Sequence, residues 1–200
     1  MLRRIAYSLT LVLLLLPAAA AAQAERPTST LDGAVTFKLP ESWEVGPYVT
    51  TPGRGVVQAT IPYPAAERAN LKAEVTLTAR PVPPGVTVAQ ESDGVAKNRY
   101  EGLAVLSDTA DGDHWRTLVW TFRAGGRAYL VLHRFGVEAG RAVELRAALP
   151  LFAGGDPKWV ERAASDFNAL CESLKIDGRN RFEHRITPDK FAGHVKVTNR

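Results

Sequence analysis

Cysteine is nearly absent from this 200-residue sequence, and Cys171 is the one that occurs. A single cysteine cannot form an internal disulfide bond, so the stability of the fold must come from packing. Cys171 shares an apolar stripe with Phe167, Leu170 and Leu174, which recur at helical spacing. We therefore predict that Cys171 is a small buried hydrophobic side chain and not a reactive thiol.

Histidines at the spacing of a metal site are also lacking. No two of them are separated by the short intervals that helices and hairpins use to bind zinc. The histidines are His114, His133, His184 and His194. Asp111, Asp113 and His114 cluster where a turn is expected; we interpret them as a solvated hairpin tip, with a cation site as the alternative. We predict no metal site and keep a weak one at His184 and His194 as the alternative.

Motifs for a nucleophile or a phosphate are missing as well. The sequence has no Gly-x-Ser-x-Gly elbow, and no serine has a histidine in its local sequence. A phosphate-binding loop opens a helix after a strand and ends in Gly-Lys-Ser/Thr. Neither feature occurs at the two glycine-rich stretches, Gly53-Arg54-Gly55 and Gly125-Gly126-Arg127, so both are predicted turns. These absences predict a protein that is not an enzyme and binds no cofactor.

Long hydrophobic runs are confined to the first residues of the chain. Arg3 and Arg4 precede apolar residues 5–16, and Ala22-Gln23-Ala24 is a small-x-small cleavage site. The apolar run is shorter than the roughly 20 residues that a helix needs to span a bilayer. We predict a signal peptide over residues 1–24 and an exported protein, periplasmic or extracellular, whose mature chain has no transmembrane segment.

The basic character of the chain is unevenly distributed. The formal net charge is +4, of which Arg3 and Arg4 supply two charges. Residues 179–200 alone carry a net +4, which leaves the body between residues 25 and 178 slightly acidic. This distribution argues against a nucleic-acid-binding protein. We predict a solvated basic tail over residues 179–200, with contact to an anionic surface or acidic partner as the alternative.

Three consecutive antiparallel strands are predicted over residues 113–149, and the rest of the chain is organised around them. The Gly125-Gly126 turn fixes a register in which Trp120 faces Val131, Leu118 faces His133 and Thr117 faces Arg134. One face of this hairpin is apolar and the other is mixed. A sheet of this kind needs cover on both sides, which favours helices packed on its two faces.

The flanking segments complete the predicted organisation. A polar leader over residues 25–32 precedes a single domain over residues 33–178. Strands are predicted over residues 33–39, 55–61, 72–79 and 103–106, with a loop over residues 46–55. A helix begins after Thr87 and extends to Tyr100, and the last helix begins at Asp156-Pro157, with Lys175 in its final turn and Gly178 closing it. The fold class is α+β, a mostly antiparallel sheet with helices on its faces.

Two stretches carry a family resemblance. Residues 33–43 (GAVTFKLPESW) give a short strand, a proline and a tryptophan, and residues 166–175 (DFNALCESLK) form the closing helix. Together with the strand-rich middle they resemble the PsbP-like superfamily over about residues 33–176. The resemblance implies an α/β/α sandwich and a role in protein binding, assembly or scaffolding instead of catalysis.

The aromatic and basic residues provide the candidate binding surface. Trp120 and Tyr129 lie on the apolar sheet face and are assigned to the core. Trp115 near a strand end and Trp159 in the first helical turn are expected to be partly exposed. The candidate binding surface comprises Trp115, Trp159, Arg179, Arg181 and Arg185.

The functional hypothesis is an exported, non-enzymatic interaction or assembly module that binds another envelope or secreted protein. The first alternative is a carrier of a small hydrophobic ligand or lipid in a pocket between sheet and helix. The second is a hydrolase assembled from distant loops. The sequence leaves the oligomeric state open.

Overall fold

The computed structural model describes residues 26–65, 71–97, 100–152, 155–180 and 182–188. The predicted signal peptide, Arg181 and His194 lie outside these residues. The strands are β1 (Ser29–Thr30), β2 (Val35–Thr36), β3 (Glu44–Thr51), β4 (Arg54–Pro62), β5 (Lys72–Pro81), β6 (Glu101–Asp111), β7 (Trp115–Ala124), β8 (Arg127–Glu138), β9 (Arg141–Leu151) and β10 (Lys175–Ile176). The helices are α1 (Val88–Lys97) and α2 (Pro157–Ser173).

Seven strands form one antiparallel sheet in the order β3-β4-β5-β9-β8-β7-β6. A small second sheet has the order β1-β2-β10. The predicted β7–β8 register is confirmed, because Trp120 pairs with Val131, Leu118 with His133 and Thr117 with Arg134. Gly125 and Gly126 both have positive φ, as a tight turn that matches the twist of its strands requires.

The sheet has a hydrophobic core on each face, as its two-sided apolar pattern predicts. The larger core lies on the α2 side, where Ala163, Ala164, Phe167, Leu170 and Cys171 are all completely buried. The smaller core lies on the α1 side and contains Val88, Val95 and the inward residues of β7 and β8. The predicted α+β class with helices on both sheet faces is therefore confirmed.

Both helices begin at the capping residues that the sequence indicates. The Asp156 carboxylate accepts a hydrogen bond from the Lys158 backbone N–H at 2.9 Å, and Pro157 follows at the first helical position. At α1, the Thr87 hydroxyl accepts from the Gln90 N–H while the Gln90 side chain accepts from the Thr87 N–H. These reciprocal bonds satisfy two donors that a helix start leaves unpaired.

The predicted end of α2 is wrong. The helix ends at Ser173, and Lys175 begins β10, where it pairs with Thr36. Gly178 adopts a positive φ in the turn after β10 and does not close the helix. Pairing with β2 draws the chain away from the helix axis at Leu174, whose backbone is extended.

Three further predictions are corrected in the part of the chain that precedes β7. Residues 25–32 are not merely a polar leader, since Ser29–Thr30 form β1 and Leu31 is buried in the core. The predicted loop over residues 46–55 is largely strand β3, which tolerates Gly46 and Pro47 because it is an edge strand with a bulge there. The short strand predicted at residues 103–106 extends over Glu101–Asp111.

The described part of the predicted solvated tail packs on the domain. We call residues 182–188 the strap. Ile186 is buried in the α2-side core, and the Asn168 side chain binds both its backbone N–H and its carbonyl, at 3.0 and 2.9 Å. The domain therefore extends beyond residue 178. Among the described residues, no helix is long and apolar enough to cross a membrane.

Candidate functional site

A buried ion pair lies beneath the strap. The Arg134 guanidinium on β8 donates from Nη1 to Asp111 Oδ2 at 2.6 Å and to Thr117 Oγ1 at 2.9 Å. Both charged side chains have no exposure to solvent. The prediction of a solvated hairpin tip is therefore wrong for Asp111, because the end of β6 is turned inward toward Arg134.

Two residues of the strap complete this cluster. The His184 Nδ1 donates to Asp111 Oδ1, and the Phe182 ring covers the Arg134 guanidinium at 4.4 Å. The Trp115 ring also lies against this guanidinium, with its centroid 4.7 Å away. Two aromatic rings thus contact the arginine, an arrangement that stabilises a desolvated cation.

A cavity of about 330 Å³ lies between the strap and the strands β6 and β7. We call it the strap cavity. Its lining residues are Ser107, Thr109, Thr117, Val119, Glu183, His184, Arg185, Ile186 and Thr187. Hydroxyl groups and aliphatic carbons therefore form most of its wall, and the buried Arg134–Asp111 pair lies behind Thr117.

A group of aromatic and arginine side chains lies on the α1 side of the sheet, toward the β7–β8 turn. Tyr100 contacts Trp120 and Phe122 at ring-centroid distances of 5.4 and 4.9 Å, and Phe122 stacks on Tyr129 at 5.0 Å. The Arg146 guanidinium lies 5.9 Å from the Phe122 ring. We call this surface the aromatic–arginine patch and define it as Tyr100, Val105, Phe122, Arg127, Tyr129 and Arg146.

The patch is partly exposed although its base is buried. Trp120 and Phe122 belong to the α1-side core, whereas Tyr100 is 39% and Val105 is 50% exposed. These two are among the large hydrophobic residues that the described part of the chain exposes, together with Tyr48 and Val49 on β3. Tyr48 and Val49 lie at the β3 edge of the seven-stranded sheet, and Tyr100 and Val105 lie at the β6 edge. Side chains at an edge have a neighbouring strand on one side only.

The predicted binding-surface residues do not form this patch. Trp115 and Trp159 are 1% and 2% exposed, so the expectation that they would be partly exposed is wrong. Trp115 is covered because it stacks on Arg134, and Trp159 because its indole N–H donates to the Pro62 carbonyl while its ring meets Tyr63 edge-on. Their burial removes both from a candidate surface.

The predicted arginines of the tail are engaged within the molecule. Arg179 donates to Glu138 Oε1 at 2.9 Å, and Arg185 pairs with Glu172. Both side chains are about two-thirds exposed, so these are surface pairs that leave one side of each guanidinium in water. Arg181 lies outside the described residues.

Cys171 matches its prediction of an inert buried side chain. It is completely buried on the sheet side of α2, and this desolvation raises the pKa of its thiol to about 12. A thiol with such a pKa carries negligible thiolate near neutral pH. Within the described residues, no group of three or more histidine, cysteine, aspartate or glutamate side chains is placed to hold a metal ion.

The interface between α2 and the sheet is closely packed. Its fully buried residues leave little space for a ligand, and the cavity beside Leu151, Phe152 and Trp159 has a volume of about 10 Å³. That volume is of the order that a single water molecule occupies. The packing does not favour the sheet–helix pocket on which the carrier hypothesis depends.

Two signals of these sites were present in the sequence. Phe182, His184 and Ile186 alternate as residues of an extended segment do, and all three turn toward the body. Tyr100 was assigned to the end of α1, although α1 ends at Lys97 and Tyr100 instead covers the aromatic side chains of β7.

The described residues form an α/β/α sandwich with a partly open cavity beneath the strap and an exposed aromatic–arginine patch. No protein-family model matches the sequence, and no curated protein matches it. Similar solved structures include LpqN of Mycobacterium tuberculosis, described as involved in cell envelope biogenesis, with 15% identity over 76% of this chain and 86% of that one, at a TM-score of 0.47.

A cyanobacterial PsbP from Synechocystis sp. PCC 6803 is also similar, with 15% identity over 75% of this chain and 90% of that one, at a TM-score of 0.48. A protein of unknown function from Pseudomonas aeruginosa has 12% identity over 72% of this chain and 97% of that one, at a TM-score of 0.43. A PsbP is thus among the solved structures to which this chain is similar. These similarities concern the fold and not the activity.

Proposed function

We propose that the mature protein is a non-enzymatic interaction module of the cell envelope, and that it binds an acidic surface of another envelope protein through the aromatic–arginine patch. The observation that carries the proposal is the exposure of Tyr100 beside arginines without ion pairs.

The aromatic part of the patch has the composition of an interface centre. Tyrosine, tryptophan and arginine are enriched among the residues that contribute most to binding between proteins. Tyr100 is already held against Trp120 and Phe122, so its ring loses little freedom when a partner covers it. An ordered aromatic side chain therefore binds at a lower entropic cost than a free one.

The charge of the patch specifies the partner. Arg80 and Arg116 on the same sheet face pair with Glu91 and Asp108. By contrast, Arg127 and Arg146 have no carboxylate within ion-pair distance in the described structure. Arg146 interacts electrostatically with Glu144 without forming an ion pair, and Arg127 adds a further positive charge, so the patch favours a partner that presents carboxylates around an apolar centre.

The edge strand beside the patch favours docking by side chains over strand addition. The pairing of β6 with β7 is interrupted twice, between residues 101 and 104 and between residues 105 and 107. Such irregularities twist an edge strand and make it a poor template for another strand. The exposed Val105 then contributes apolar contact area to the side-chain interface.

The proposal can be tested with the full-length protein expressed in its own host. A photo-crosslinking phenylalanine analogue replaces Tyr100, and the crosslinked partner is identified and purified for binding measurements. We expect Arg146→Glu to weaken binding of the purified partner by about tenfold or more, equivalent to about 1.4 kcal/mol. Reversing the charge of the partner's contacting carboxylate should restore binding to Arg146→Glu.

Arg162→Glu is the matched control. Arg162 is exposed on α2, on the opposite side of the sheet from the patch, and its substitution changes the charge by the same amount. It should leave the affinity within about twofold of the wild type. Equal loss in both variants, an affinity that salt does not change, or no crosslinked protein from position 100 would each contradict the proposal.

A further inference from the structure

The strap cavity has a fixed wall, which distinguishes it from a crevice beneath a loose tail. His184 is anchored to the buried Asp111, and the backbone of Ile186 makes two hydrogen bonds to Asn168, which is itself 6% exposed. These anchors lie two residues apart on the strap. They hold residues 183–187 at a set distance from β6 and β7.

Apart from Glu183, which is exposed to solvent, the charged groups at the cavity have partners within the protein. Asp111 is shared by Arg134 and His184, and Arg185 pairs with Glu172. Thr117 Oγ1 accepts from Arg134, which leaves its own hydroxyl hydrogen to donate elsewhere. Besides the exposed Glu183 carboxylate, the wall thus offers a ligand the neutral hydroxyls of Ser107, Thr109, Thr117 and Thr187.

The remaining wall is apolar. Val119 and Ile186 face the cavity from the sheet and the strap, and the threonine methyl groups add further aliphatic surface. The volume of about 330 Å³ falls at the small end of ligand-binding cavities. At roughly 30 Å³ per water-sized group, it accommodates about ten non-hydrogen atoms.

We propose that the strap cavity binds a small uncharged amphiphile of about ten non-hydrogen atoms, whose aliphatic part contacts Val119 and Ile186 and whose neutral polar head bonds to the threonine and serine hydroxyls. A carboxylate or an ammonium group is disfavoured as the head, because it would lose hydration without meeting a buried, unpaired opposite charge, and water screens the charge of the exposed Glu183. This site is separate from the aromatic–arginine patch, which lies on the other face of the sheet.

The test compares three probes with one chain length: 1-octanol, octanoate and octylammonium. Each is titrated into isotope-labelled mature protein while backbone amide resonances are followed. We expect saturable shifts for 1-octanol at Thr109, Thr117 and Ile186, and at least about tenfold weaker binding of both charged probes.

Two variants of β6 localise the binding. Thr109→Phe fills the cavity and should weaken 1-octanol binding by about tenfold or more, and Ser107→Phe is the second filling variant if the first does not fold. Ala110→Phe is the control, because Ala110 is exposed and pairs with Arg116 on the opposite face. It should change the affinity by less than about twofold.

Three results would overturn the proposal. They are the absence of saturable shifts with 1-octanol, unchanged 1-octanol binding in a folded filling variant, and octanoate or octylammonium binding as tightly as the alcohol. Failure of the interaction experiment at Tyr100 would leave this test unaffected, since neither the probes nor the variants involve the patch.

Discussion

Asp111 and Arg134 form the most deeply buried ion pair described in this chain, and both are completely inaccessible to solvent. Removing one partner of such a pair leaves the other charge buried without compensation. We expect Asp111→Asn to lower the free energy of unfolding by about 3–5 kcal/mol, measured by urea denaturation.

The same strand offers a matched control for that prediction. Asp108 binds Arg116 through two hydrogen bonds of 2.9 and 2.7 Å, but 43% of the Asp108 side chain is exposed. Solvent screens this pair, so Asp108→Asn should cost no more than about 1 kcal/mol. A similar loss for both variants would show that burial does not determine the contribution of Asp111.

His133 makes the stability of the protein dependent on pH. Burial lowers the pKa of its imidazole below the ordinary value of 6.5, and this effect outweighs the hydrogen bond from Nε2 to Glu144 at 2.8 Å, which acts in the opposite direction. The buried Nδ1 of His133 has no hydrogen-bond partner. In a neutral ring that donates from Nε2, Nδ1 carries no proton, so the atom left without a partner is an acceptor and not a donor.

The sign of the effect follows from proton binding. Well above pH 6.5 the ring is neutral in both the folded and unfolded states, and its contribution to stability is fully present. Below that pH the unfolded state binds the proton more readily, so stability is lost as the pH falls toward the lower folded-state pKa. Wild-type protein should lose up to about 1.4 kcal/mol per pH unit more than His133→Gln between pH 6.5 and 5.5.

Urea denaturation of both proteins at several pH values between 7.5 and 5.5 measures this difference. The lower limit keeps the experiment above the range in which Glu144, whose pKa is lowered mainly by its hydrogen bond with His133, becomes protonated. The other histidines are common to both proteins and cancel. Parallel stability curves would contradict the assignment of the pH dependence to His133.

At the scale of elements, the strap depends on α2 for its position. Asn168→Ala removes both hydrogen bonds to the Ile186 backbone and leaves a buried donor and acceptor without partners. We expect a loss of about 1–3 kcal/mol in stability and faster amide hydrogen exchange at Ile186. Within the interior strand β8, the backbone amides should keep the order of hydrogen-exchange rates that they have in the wild type.

Ser165→Ala is the control for the strap, since Ser165 is exposed on the same helix. It removes a polar side chain without touching residues 182–188. If Ile186 exchanges at the same rate in Asn168→Ala and Ser165→Ala, the two hydrogen bonds do not hold the strap in place.

The elements that could be predicted from the sequence are those with strong local signals. Gly125 and Gly126 set the β7–β8 register, and Asp156-Pro157 set the start of α2, because turn and cap chemistry act within a few residues. The end of α2 could not be predicted in this way. Leu174 leaves the helix because Lys175 pairs with Thr36, far away in the sequence.

The candidate sites were harder to predict because they form between distant segments. The sequence correctly placed Thr117 opposite Arg134, but the ion partner Asp111 is 23 residues from Arg134 and resembled part of a solvated turn. Trp115 and Trp159 were expected near the surface because each lies at the end of an element. Burial at element ends depends on tertiary contacts, such as the stacking of Trp115 on Arg134, which no local pattern contains.

For the whole molecule, folding reduces the charge asymmetry that the sequence suggests. The tail appears basic when its residues are counted alone. In the folded chain, Arg179 pairs with Glu138, Arg185 with Glu172 and His184 with Asp111. The basic segment is thus partly neutralised by acidic groups of the body, and its exposed guanidiniums attract external anions less strongly than free ones.

The two hydrophobic cores share one sheet, and this arrangement predicts that they unfold together. Trp43, Trp115 and Trp159 lie in the α2-side core, whereas Trp120 lies in the α1-side core. Strands β7, β8 and β9 contribute side chains to both cores, so loss of one core exposes the backbone that supports the other. Thermal unfolding followed by tryptophan fluorescence and by far-ultraviolet circular dichroism should give coincident transitions.

Trp120→Phe distinguishes cooperative from separate unfolding of the two cores. It removes the tryptophan of the α1-side core and retains an aromatic ring, so its fluorescence follows the α2-side core alone. If the cores unfold as one unit, the variant's fluorescence transition still coincides with its own circular dichroism transition, at a midpoint lowered by the substitution. If the α1-side core opened first, wild-type fluorescence would change in two steps and the variant would lose the earlier one, because the sheet would then persist on α2 after α1 had detached.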